Sequence, residues 1–129
     1  MFYVETSAAT KLVLEERGSA ALRRWLAPRV SAVFSSDLLR TELLRVARRS
    51  SPVDVLQARV VLDSMLLSGL SSELFERAAL FEPRQLRSLD ALHLAAALEA
   101  GPDLDGIVTY DARLAEAAAG MGVPVVSPR

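Results

Sequence analysis

Short apolar runs alternate with longer stretches of helical periodicity along this chain. Phe2-Tyr3-Val4 predicts a first buried strand, and Thr6-Ser7 stands where it can cap the helix that follows. That helix stops at Gly18. Ser19 caps a second one, Ala20 to Ala27, which Pro28 ends. Val30-Ser31-Ala32-Val33-Phe34 predicts the second strand, and Ser35-Ser36-Asp37 reads as an N-cap cluster opening a helix from Leu38 to about Arg49. Pro52 suits the first turn of another helix through about Leu67, although Met65-Leu66-Leu67 also fits a short strand. The stretch from Ser50 to Leu80 is helix-like throughout and predicts a helical excursion from the sheet. Ser71-Ser72 opens a helix to about Phe81, and Ser88 caps an alanine-rich helix from Leu89 to Ala100. Gly106 to Thr109 is a strand, Ala112 to Ala119 a helix, and Val123 to Val126 the last strand. Strands alternating with helices imply a central, mostly parallel sheet covered on both faces.

Composition narrows the class. With 129 residues, 51% hydrophobic and 24% charged, residues 1–129 suit one compact globular domain with a sizeable core. The formal charge, 15 − 16 = −1, removes the simplest electrostatic case for nucleic-acid binding. The cations are nevertheless almost all arginine, Lys11 being the one lysine. Arginine suits bidentate contact with phosphate; with the abundant alanine and leucine it equally fits a GC-rich coding sequence. There is no cysteine, which excludes disulfides and thiolate metal sites. The N-terminus has no basic region leading into a long apolar stretch, and no run nears the roughly 20 apolar residues that span a bilayer. A soluble cytoplasmic protein without a membrane partner is expected.

Four acids stand where the patterning does not demand them. Glu5 closes the first strand, Asp90 lies in the first turn of the alanine-rich helix, and Asp111 follows Ile107-Val108-Thr109-Tyr110. Glu42 shares a helix face with Leu38, Leu39, Leu43 and Val46, so it points inward with the apolar stripe. Ligands of open α/β sheets bind beyond the carboxyl ends of the strands, where Glu5 and Asp111 both fall. Each acid alone has an ordinary explanation. Glu5 fits an edge-strand surface, Glu42 an ion pair with Arg45 or Arg49, Asp90 a first-turn acid and Asp111 an N-cap. Gathered together, they make a carboxylate pocket with no lysine to neutralise it. Unpaired buried charge costs so much that such a pocket holds protons or divalent cations. Carboxylate and water oxygens suit Mg²⁺ or Mn²⁺, as one ion or as two spaced by ~3.5–4 Å. No serine–histidine–acid set is evident. His93, the single histidine, shares a helix face with Asp90, and a packed or hydrogen-bonded structural role is expected for it.

The same residues resemble the PIN-domain family, specifically the VapC-type toxins of bacterial toxin–antitoxin pairs, over almost the whole chain. Tyr3-Val4-Glu5-Thr6-Ser7-Ala8 is similar to the family's strand-acid-Thr-Ser entry, and Ser36, Leu39 and Thr41-Glu42-Leu43 to its second acidic motif. The stretch from Leu86 to Ala95, containing Ser88-Leu89-Asp90-Ala91-Leu92-His93, matches the third motif and is the most specific. Val108-Thr109-Tyr110-Asp111-Ala112-Arg113-Leu114 matches the fourth, and Gly122-Val123-Pro124-Val125 the usual ending. The resemblance implies a three-layer α/β/α sandwich and a Mg²⁺- or Mn²⁺-dependent endoribonuclease. It also implies a homodimer and neutralisation by a small cognate antitoxin within a hetero-oligomer. Glu5, Glu42, Asp90 and Asp111 would be the catalytic metal ligands, and Thr6 or Ser7 would position water or phosphate. Among the arginines around the acids, Arg87 and Arg113 are expected to touch RNA phosphate, with Arg40, Arg45, Arg48, Arg49 and Arg84 as further candidates.

The sequence departs from the family at position 5, where glutamate replaces the usual aspartate. One added methylene moves the carboxylate by up to about 1.5 Å. Retained metal affinity with much reduced turnover is expected. The alternative is a catalytically inactive module whose acidic pocket receives an antitoxin arginine. A receiver-like or phosphatase-like domain is disfavoured, because no paired acids follow the first strand and Lys11 is alone.

Overall fold

Side-chain alternation along very short strands decides which helices cover which face of the sheet. In the computed structural model, which describes residues 1–129, the strands are β1 (Phe2–Val4), β2 (Val33–Ser36), β3 (Leu66–Ser68), β4 (Gly106–Val108) and β5 (Val125–Val126). All four pairings are parallel, in the order β3-β2-β1-β4-β5. Tyr3, in register with Phe34 and Ile107, joins both in one core cluster, whereas Val4, Val108 and Val33 belong to a second. The first face is covered by α5 (Ser72–Ala78), α6 (Ser88–Leu98) and α7 (Ala112–Gly120). The second is covered by α1 (Thr6–Val13), α2 (Ser19–Leu26), α3 (Leu38–Ser50) and α4 (Pro52–Asp63). The result is the expected three-layer α/β/α sandwich, with its sheet parallel throughout. No helix is long and apolar enough to cross a membrane.

Small residues let the layers approach. Leu94, Ala95, Ala96 and Ala97 on α6 are all fully buried, so this helix lies close on the sheet. Gly106 opens β4 where a Cβ atom would sit 2.8 Å from the Pro124 carbonyl oxygen. That same carbonyl accepts from the Ile107 N–H at 2.9 Å, so the missing side chain lets β5 dock in register.

The structure corrects several boundaries. Val30 has helical backbone and is 70% exposed, so the run from Val30 to Ala32 is a turn, and the strand begins at Val33. Ser35 and Ser36 lie inside β2, fully buried, rather than in an N-cap cluster. Their hydroxyls are satisfied by the Val4 carbonyl and by Tyr3 Oη. Thr6 and Ser7 are helical; the cap of α1 is Glu5, which accepts from the Ser7 N–H. Ser88 is likewise the first residue of α6, preceded by Arg87, whose side chain makes no capping bond. The stretch from Ser50 to Leu80 is not a helical excursion. It contains edge strand β3, with α4 and α5 packed on opposite faces.

In this order β1 lies between β2 and β4, and the winding reverses at the β1–β4 step. A crevice opens there at the carboxyl ends of both strands.

Candidate active site

All four acids reach that crevice. Glu5, Glu42, Asp90 and Asp111 line one cavity of about 380 Å³ together with Thr6, Ser7, Thr10, Arg87, Ser88 and Leu89. They arrive from separate elements: Glu5 at the end of β1, Glu42 from α3, Asp90 from the first turn of α6, and Asp111 at the start of α7. Arg87 is at the cavity wall, whereas the Arg113 side chain lines a different cavity with Glu82, Pro83, Gln85 and Leu86. A larger, mostly apolar cavity of about 670 Å³ lies between α5 and the start of α6 and includes none of the four acids.

Three of these carboxylates are tethered through a single oxygen. Glu5 Oε2 accepts from the Ser7 N–H at 3.0 Å, Ser7 Oγ at 2.5 Å and Thr109 Oγ1 at 2.8 Å. Glu42 Oε1 accepts from Thr6 Oγ1 at 3.0 Å and lies 2.5 Å from His93 Nε2. Asp111 Oδ1 takes the N–H groups of Arg113 and Leu114, so Asp111 caps α7 while also lining the cavity. The second oxygen of each takes no hydrogen bond from the protein. Asp90 has no tether: its Oδ2 is a buried side-chain oxygen without a hydrogen-bond partner.

The electrostatics follow from this arrangement. Burial pushes the Asp90 carboxyl above its usual range, and the charges of Asp111 and Glu5 add to the rise against the pull of Arg87. Burial also raises Glu42. There, the hydrogen bonds from His93 and Thr6 outweigh burial and leave the carboxyl below its usual range. No ion pair joins Glu42 to Arg45 or Arg49; its partner is His93, whose Nε2 faces Glu42 Oε1.

Two features escaped the sequence reading. Thr109, fully buried, donates to Glu5 and accepts from the Asp111 N–H at 3.1 Å, linking two of the acids. A hydroxyl between an apolar strand and an acid was the available signal. His93 touches Glu42 rather than merely sharing a face with Asp90, and only the folded chain brings α6 to α3.

No three of these acids and His93 form a ready-made cage around a common point. The donor set nonetheless fits a hard divalent cation, because every acid keeps an uncommitted oxygen and Asp90 keeps a buried one with nothing to bind.

The PIN-domain family model matches residues 2–120. The chain is 39% identical to Ribonuclease VapC47 of Mycobacterium tuberculosis (strain CDC 1551 / Oshkosh) over 132 residues, covering 99% of this chain and 97% of that one. It is 40% identical to Ribonuclease VapC35 of the same strain, covering 99% and 97%. To Ribonuclease VapC46 of M. tuberculosis (strain ATCC 25618 / H37Rv) it is 36% identical, covering 98% and 96%. No solved structure matches the chain significantly. Full-length similarity, a parallel three-layer fold and four acids around one rim cavity agree: the chain belongs to the PIN-domain family and is of the VapC type.

Proposed function

We propose that this chain is a Mg²⁺- or Mn²⁺-dependent endoribonuclease, the toxin of a toxin–antitoxin pair. One observation carries the reading: four carboxylates from four distant segments line one rim cavity, each with an oxygen left free by the protein. Glu5, Asp90, Asp111 and Glu42 would hold the cation. A bound divalent ion supplies Lewis acidity, making water a stronger acid near neutral pH and offsetting charge on the attacked phosphate. The protein's own part is positional. Ser7 and Thr109 hold Glu5, the α7 N-terminus holds Asp111, and Thr6 with His93 holds Glu42.

RNA enters between cations. Arg87 stands on the acid cavity itself. A neighbouring groove of about 560 Å³ shares Thr6, Glu42 and Leu89 with that cavity and adds Arg45 and Arg49, a path for flanking phosphates. A small cognate antitoxin, a homodimer that joins it in a hetero-oligomer, and action in the cytoplasm belong to the same reading.

Glu5 lowers turnover in this proposal. Its longer side chain spends one oxygen on three donors and displaces the other relative to an aspartate. Cleavage of structured RNA should require Mn²⁺ or Mg²⁺ and stop with chelator, and Glu5→Asp should raise turnover about tenfold, about 1.4 kcal/mol of barrier. Unchanged cleavage in Glu5→Asp refutes the role given to the extra methylene. No cleavage by either form, with antitoxin binding retained, supports a module acting through complex formation.

A further inference from the structure

A line of buried polar groups crosses the molecule beside the acids. Ser36 Oγ on β2 lies 2.8 Å from Tyr3 Oη on β1, and Tyr3 Oη lies 2.7 Å from His93 Nδ1 on α6. His93 Nε2 then reaches Glu42 Oε1 on α3 at 2.5 Å, and Thr6 Oγ1 on α1 donates to that same oxygen. Helices α6 and α3 belong to opposite layers, so the His93–Glu42 contact joins the layers across the rim. Ser36, Tyr3 and His93 are between 0 and 1% exposed, so bulk water cannot stand in for any member.

Hydrogen-bond bookkeeping along this line assigns the protons. A phenol is protonated at neutral pH, so Tyr3 can donate to His93 Nδ1 while accepting from the Ser36 hydroxyl. With Nδ1 engaged as an acceptor, the ring proton sits on Nε2 and points at Glu42. Glu42 Oε1 is thereby fixed, and Oε2 is left for the cavity.

We propose that His93 is a positioning residue for Glu42, with Tyr3 setting its tautomer. This rests on the metal-dependent reading of the cavity. Ligand carboxylates and histidines are commonly held by such outer partners, whose loss typically costs 10–100-fold in metal affinity. The ordinary alternative is a core histidine that only pins α6 to α3.

Because His93 is the single histidine, ¹⁵N-histidine NMR of the metal-free protein reports its tautomer without assignment. The Nε2–H form is expected, with a mixture in Tyr3→Phe. The Nδ1–H form, or a doubly protonated ring that leaves Tyr3 nothing to donate to, overturns the proposal. Mn²⁺ titration separates the rest. His93→Asn should weaken binding about tenfold, and His93→Gln, whose Nε2–H can still reach Glu42, should stay within about threefold of the parent. In a Glu42→Gln background, His93→Asn should add no further loss. Equal binding by His93→Asn and parent, failure of His93→Gln to rescue, or full additivity in the Glu42→Gln background each overturns it. A parent that binds no Mn²⁺ instead sinks the metal-dependent reading, and this inference with it. Should His93→Asn fail to fold, Tyr3→Phe and His93→Gln carry the same test.

Discussion

Glu42 and Asp90 face the same cavity from opposite layers of the sandwich, yet their surroundings differ completely. Glu42 has Thr6 and His93 on one oxygen, and its carboxyl lies below the usual range. Asp90 has no partner for a buried oxygen, and its carboxyl lies above that range. A fold selected only for stability would not leave Asp90 in that condition, since replacing it is chemically easy. One corner of the cavity holds a charge in place; the other keeps a site open for something to bind.

Asp90→Asn should give the sharpest break. RNA cleavage with Mn²⁺ is expected to fall about 10³-fold, about 4 kcal/mol of barrier, in a single-turnover assay. Loss of less than about tenfold means the free oxygen is not used. Next in size is the response to metal. At about 100 times its dissociation constant, Mn²⁺ should stabilise the parent by about 2.7 kcal/mol in denaturant melts, and Asp90→Asn should lose most of that.

Without metal the same substitution should reverse sign. Relieving an unsatisfied buried acid among like charges should stabilise the fold at pH 7 by ~1 kcal/mol. The folded-state pKa of Asp90 is raised, so its penalty is absent below the unfolded value near ~4 and grows as pH rises through the folded one. The advantage of Asp90→Asn should therefore vanish in melts near pH 3. Glu42 runs the other way. Its folded pKa is lowered, so its contribution is present above the unfolded value of 4.5 and is lost as pH falls through the folded one. Parallel pH curves for Asp90→Asn and Glu42→Gln would erase the contrast between the corners. Smallest of all, Thr6→Val should cost under ~1 kcal/mol of stability and a few-fold in cleavage, because His93 still holds Glu42.

The contrast also marks what the sequence made legible. Tyr3-Val4 and Ile107-Val108 advertise buried strands, and acids placed just past them point to the rim. Alternating strands and helices leave little choice of layers. Ser35 and Ser36 misled, because a polar pair looks like a cap until a tyrosine on the neighbouring strand supplies its partner. Val30 misled the other way, as an apolar side chain left exposed in a turn. Asp111 shows that two readings of one acid need not compete, since one oxygen caps the helix while the residue lines the cavity. The pairing of His93 with Glu42 spans 51 positions and two layers, beyond the reach of any local pattern.

Gly106 extends the problem to the far end of the sheet. A methyl group there would press on the Pro124 backbone and pry β5 from β4, and β4 is the strand that delivers Thr109 and Asp111 to the opposite end. A genetic hunt for harmless alleles would therefore collect hits at this glycine as readily as among the acids. Such alleles would be failures of transmission through a strand, recognisable by a lowered melting temperature, whereas Asp90→Asn leaves the metal-free fold at least as stable as the parent.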